Sequence, residues 1–128
     1  MKKILLIVTI FCVFTLTTKA QVSECAKKMR EGKFTYEGRE YDVQVIRTKN
    51  KQVEIFNNGK SKIISKIHWV SDTEYWLIFK RSKNVKMVNR KKGEIMKVKI
   101  ISCEGNKYYY ECRGDKVSYT DGNMIKLD

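Results

Sequence analysis

The chain has no proline, a single histidine and no run of close-set glycines, and these absences narrow its chemistry. The lack of proline fits uninterrupted strands. The one histidine, His68, stands between Ile67 and Trp69. As a general base it would need an oriented partner and a nucleophile within reach, and the sequence supplies neither. It reads as a half-exposed strand residue. No glycine-rich loop is present to cradle a phosphate, and the cysteines include no Cys-x-x-Cys pair, so no metal site is expected. Glu54, Glu74, Glu94, Glu104 and Glu111 are scattered without an evident pairing. A two-carboxylate hydrolase survives as a reading only if strands bring two of them together. No catalytic residue and no cofactor is expected.

What is present begins with a leader. Lys2 and Lys3 precede the apolar run Ile4 to Leu16, which gives way to Thr17-Thr18-Lys19-Ala20. This is the order of a cleavable signal peptide, with a cut expected after Ala20, and it predicts a secreted or periplasmic product. The apolar run is shorter than the roughly 20 residues a membrane-spanning helix needs. Neither Cys12 nor Cys25 sits at the cut, so soluble release is expected rather than lipid anchoring. The sequence therefore divides into a leader, residues 1–20, and a single domain, residues 21–128, of a size that supports one modest core.

Of the 27 basic residues, Lys2, Lys3 and Lys19 leave with the leader, so 24 remain against 14 acidic ones. That excess points to anionic partners and to solubility, not to a fold. Three cysteines remain, Cys25, Cys103 and Cys112. In an oxidising compartment they allow one internal bridge and leave one thiol.

Period-two alternation dominates the domain, as in strands with one buried face. Lys33 to Tyr36 is a short run; Tyr41, Val43 and Val45 alternate with Asp42 and Gln44, and Val53 and Ile55 with Gln52 and Glu54. Matching apolar faces favours a three-residue loop, Lys49-Asn50-Lys51, that pairs Val45 with Ile55. A two-residue loop would oppose Val45 to Glu54. Asn57-Asn58-Gly59-Lys60 is the strongest hairpin signal, since Asn-Gly accepts two positive φ angles. Ile63 to Val70 turns at Ser71-Asp72 into Tyr75 to Lys80, and Glu94 to Cys103 turns at Gly105-Asn106 into Lys107 to Arg113. Lys116 to Thr120 and Met124 to Leu127 follow, separated by Asp121-Gly122. Seven to nine strands without long helical patterns predict an all-β antiparallel barrel or sandwich. Only Ser23 to Glu31 reads as helix, capped by Ser23 and ended by Gly32.

If Glu104 and Lys107 close the Gly105-Asn106 turn, Cys103 faces Tyr108 and Cys112 faces Lys99, too far apart to bridge. Cys25 is then the partner of one of them. Cys25 with Cys112 is preferred over Cys25 with Cys103, and three reduced thiols is the alternative. The densest charge lies in the segment from Lys80 to Gly93, where Lys80, Arg81, Lys83, Lys86, Arg90, Lys91 and Lys92 meet no acidic residue. Such a loop suits anionic lipid headgroups or polysaccharide. A solvated loop between two strands, whose charge merely protects an edge, is the preferred plain reading of it. Nucleic acid is not expected as a partner in an exported compartment. Tyr108-Tyr109-Tyr110 adds aromatics, at least one face of which belongs in a core.

Several of these runs share an order with known proteins. Cys25 shortly before Gly32-Lys33-Phe34-Thr35-Tyr36, Val45-Ile46-Arg47 before Gln52-x-Glu54, Ile67-x-Trp69-x-x-Asp72-x-x-Tyr75-x-Leu77, and Gly93-x-x-Met96-x-Val98-x-Ile100 resemble small exported proteins of Bacteroidetes. Some of those carry a topoisomerase name, which export of a domain this small argues against. The resemblance implies an all-β exported domain and carries over no active-site residue. Lipocalin-type barrels are a looser likeness, because their early Gly-x-Trp is here Gly32-Lys33-Phe34, which counts against a ligand-holding barrel. The resulting expectation is a non-enzymatic binding or envelope-associated module whose basic loop meets anionic surfaces. A small barrel holding a lipid-like ligand is the alternative.

Overall fold

A computed structural model describes residues 14–38, 42–85, 90–115 and 119–128, with side chains from residue 19 onward. A helix, α1 (Phe14–Lys27), precedes eight strands: β1 (Gly32–Tyr36), β2 (Gln44–Arg47), β3 (Lys51–Phe56), β4 (Ser61–Trp69), β5 (Glu74–Lys83), β6 (Ile95–Glu104), β7 (Lys107–Gly114) and β8 (Thr120–Lys126). Each strand pairs antiparallel with the next, and β8 pairs back onto β1, so the sheet closes as a barrel without free edges. The all-β expectation holds, and of its two forms the barrel is the one found. Of the sequence expectations, Met1 to Val13, Tyr41, Lys86 and the run Lys116 to Ser118 lie outside the described residues.

Turn chemistry sets several registers as expected. Asn58 and Gly59 have φ of 54° and 82°, and Lys60 N–H donates to the Asn57 carbonyl at 3.1 Å, which is the geometry Asn-Gly favours. Glu104 opposes Lys107 and Cys103 opposes Tyr108.

The β2–β3 hairpin departs from expectation. Val45 opposes Glu54 and Arg47 opposes Gln52, the two-residue register rather than the three-residue one. The reason lies inside the barrel: Arg47 is 2% exposed and needs polar partners, so β3 turns Gln52 and Glu54 inward and leaves Val53 and Ile55 outside. Apolar alternation alone chose the wrong face.

Three further boundaries shift. The helix runs Phe14–Lys27, not Ser23 to Glu31, and so crosses the expected cut after Ala20. Lys28 N–H and Met29 N–H close its end on the carbonyls of Cys25 and Ala26. Asp121-Gly122 is not a turn, because β8 passes straight through it with Gly122 opposite Tyr110. A Cβ on Gly122 would stand 3.0 Å from the Tyr110 hydroxyl oxygen, so the glycine leaves that ring room to pack inward. On β6 an extra residue at Ile101 moves Cys112 opposite Val98 instead of Lys99.

That register also decides the bridge. Cys112 faces the interior at 3% exposure, free and buried, whereas Cys103 lies near the β6–β7 turn. The bridge is therefore Cys25 to Cys103, with Cα atoms 5.8 Å apart, and the preference for Cys112 is corrected. It pins α1 to β6 at one end of the barrel. Ala26 and Met29 are buried there at 0% and 1% exposure, and Lys126 Nζ donates to the Lys28 carbonyl at 2.8 Å. Because the strands alternate in direction, the β2–β3, β4–β5 and β6–β7 turns share this end. The other four connections share the opposite end.

Candidate binding cavity

The interior has a sealed floor and a cavity above it. The floor is organised by Arg47. Its Nε donates to Gln52 Oε1 at 2.8 Å, Nη1 to the Met29 carbonyl at 3.0 Å, and Nη2 to the hydroxyls of Tyr75 and Tyr108 at 2.8 and 2.7 Å. The guanidinium lies 4.6 Å from the Phe34 ring centroid and 4.7 Å from that of Tyr75. Among the described residues no carboxylate is its partner. Burial disfavours the charge, and the oxygens of Tyr108 and Tyr75 more than offset that, so Arg47 stays cationic. Burial likewise pushes the Tyr75 phenol well above its ordinary value despite the pull of Arg47, so its hydroxyl remains protonated.

Above this floor lies a cavity of about 290 Å³. Ile63, Leu77, Met96, Val98 and Met124 supply its apolar lining, and Tyr36, Gln52, Glu54, Ser65, Tyr75, Tyr110 and Cys112 its polar groups. Arg90 and Thr120 line it at the end away from α1. Strand alternation delivers these side chains: Leu77 from β5, Met96 and Val98 from β6, Tyr110 and Cys112 from β7 all face inward between outward residues. Ser65 opposes Phe79 rather than Lys80, because a bulge in β5 takes up one residue there.

The polar groups in the cavity are restrained. Tyr36 Oη donates to Glu54 Oε1; burial and then the Glu54 charge hold that phenol well above its ordinary value. Burial also raises the Cys112 thiol, with a smaller opposing pull from Thr120. A thiol kept protonated, with no histidine beside it, is a poor nucleophile. Of the five glutamates considered from sequence, Glu54 alone lines this cavity. Asp121 accepts a hydrogen bond from Tyr109 Oη on the outer face. No group of three or more metal-binding side chains occurs among the described residues.

The basic segment is divided by the fold. Lys80, Arg81 and Lys83 are exposed on β5 rather than in a loop, Lys91 and Lys92 are exposed just before Gly93, and Arg90 is drawn into the cavity lining. His68 is an exposed outer-face strand residue, edge-on to Trp76 at 6.2 Å. No helix among the described residues is long and apolar enough to cross a membrane.

The sequence offers a ligand-holding barrel as an alternative but does not reveal the Arg47 cluster or which residues line the cavity, although Val45-Ile46-Arg47 and Gln52-x-Glu54 stand out as patterns. The signal available was that Arg47 and Gln52 fall opposite each other in the two-residue register. Nor does Phe34 in place of tryptophan remove the cavity, since its ring packs on Arg47 beneath it. The chain matches no family model, no curated protein and no solved structure.

Proposed function

We propose that the chain is an exported, non-catalytic binding module that holds one small amphipathic molecule inside its barrel. The ligand's apolar part lies among Leu77, Met96, Val98 and Met124, and its acidic group meets Arg90. The observation that carries this reading is the cavity of about 290 Å³, closed at one end by the Arg47 floor and α1 and lined near the other by a cation. That size lies just below ordinary ligand sites, which run from roughly 300 Å³ upward, and its lining sets five apolar side chains among a larger number of polar ones, which suits a small amphipathic molecule.

The restrained chemistry of Cys112 and Glu54 supports binding over catalysis. Export rests on the lysine-led apolar leader and is supported by the Cys25–Cys103 bridge, since such bridges persist in oxidising compartments. The likeness to small exported proteins of Bacteroidetes belongs to the same proposal. Native mass spectrometry after mild extraction tests it. A bound small molecule is expected on the wild-type protein and not on Val98→Trp, whose indole fills the cavity. A wild-type protein that is always empty, and that takes up no added decanoate, defeats the proposal.

A further inference from the structure

The inverted face of β3 has a consequence on the outside of the barrel. With Gln52 and Glu54 turned in, Val53 and Ile55 stand outside, and the register extends this pattern over five strands. Lys33 lies beside Ile46, Ile46 beside Val53, Val53 beside Ile64, and Ile64 beside Arg81. This row has three branched apolar residues in its centre and a cation at each end. The next row toward the open end reads Gln44, Ile55, Lys62, Lys83. The next row toward the closed end reads Lys51, Lys66, Ile78, Ile95.

No aspartate or glutamate stands in any of the three rows. Lys33, Lys51, Lys66, Arg81 and Lys83 are exposed, while the isoleucines and Val53 are half-buried. The opposite wall differs: Lys99, Glu111 and Asp121 form a row of mixed sign.

We propose that the outer wall of β1 to β5 docks on a lipid bilayer bearing anionic headgroups. Branched apolar side chains enter the boundary between headgroups and acyl chains, while lysine and arginine stems lie along the surface and hold their charges at phosphates. Charge complementarity chooses this occupant. A second copy joined by two-fold symmetry would set the same cations against each other. Single-stranded nucleic acid and sugars add stacking on aromatic rings to the attraction of charge, and the three rows offer no ring for it, only branched apolar side chains. The barrel lies on the membrane rather than across it, because Lys99, Glu111 and Asp121 interrupt any encircling apolar band.

Co-sedimentation with vesicles tests this. The wild-type protein is expected to pellet with phosphatidylcholine vesicles containing phosphatidylglycerol and to stay in solution with phosphatidylcholine alone. Arg81→Ser with Lys83→Ser, and separately Val53→Ser with Ile64→Ser, should each weaken binding by about tenfold or more. Lys99→Ser with Arg113→Ser, on the other wall, removes equal charge and should change it less than about twofold. Thermal unfolding of each variant confirms that it remains folded. Equal losses from the two charge variants would show attraction to net charge alone and overturn the proposal. So would vesicle binding that ignores Val53→Ser with Ile64→Ser, or wild-type binding to heparin without binding to vesicles.

Discussion

The two ends of the barrel solve opposite problems with similar residues. At the closed end a buried cation, Arg47, has every donor direction shown engaged, by Gln52, the Met29 carbonyl, Tyr75 and Tyr108, and α1 is tied above it by Cys25–Cys103. Toward the open end another arginine, Arg90, lines the cavity with Thr120, Leu77 and Met96. The difference separates stability from binding. A fully satisfied cation fixes the packing around it, whereas one on a cavity wall is available to an incoming anion. Closed-end substitutions should therefore unfold the protein, and open-end substitutions should change what it holds.

The largest effect is expected from Cys25→Ser with Cys103→Ser. Opening a loop of 78 residues in sequence separation should lower unfolding free energy by about 4 kcal/mol in the chain-entropy view, read from urea denaturation. Arg47→Met follows at about 3 kcal/mol, because it leaves Tyr75, Tyr108, Gln52 and the Met29 carbonyl short of a partner. If Arg47→Met were neutral, the closed end would not be organised by its cation.

Alkaline pH gives a graded test of two buried phenols, Tyr75 in the floor and Tyr36 in the cavity above it. Tyr36 and Tyr75 are acids whose folded-state pKa values lie well above 10.0. Below about pH 10 they are protonated in both states, and their contribution is complete. Above it the unfolded chain ionises first, so stability should fall by about 1.4 kcal/mol per pH unit for each phenol. Their absorbance change should appear only with unfolding. The smallest stability effect belongs to the open end: Arg90→Gln should alter unfolding by less than about 0.5 kcal/mol. It should nevertheless weaken the binding of decanoate relative to decanol, measured by calorimetric titration.

Much of the fold was legible because turn chemistry and period two are local signals. Asn58-Gly59 and Gly105-Asn106 announced their hairpins, and the strand count bracketed the eight found. The errors came where tertiary demands overrode local pattern. Apolar alternation placed Val53 and Ile55 inside because nothing local reveals that Arg47 is buried and draws Gln52 inward with it. A single extra residue at Ile101 shifted Cys112 by one position, and the bulge is invisible without its partner strand. Asp121-Gly122 resembled a turn because its glycine answers to Tyr110 across the sheet. The basic segment was legible as charge but not as a site, because β5 continues to Lys83 and the cations part between wall, turn and cavity.

The cavity as a ligand site is tested most directly by methyl NMR during titration with decanoate. Signals of Leu77, Met96, Val98 and Met124 should shift together and saturate, those of Ile46 and Ile64 on the outer wall should stay in place, and Arg90→Gln should raise the concentration required. Cavity methyls that do not move at saturating decanoate, or shifts confined to the outer wall, would contradict the account.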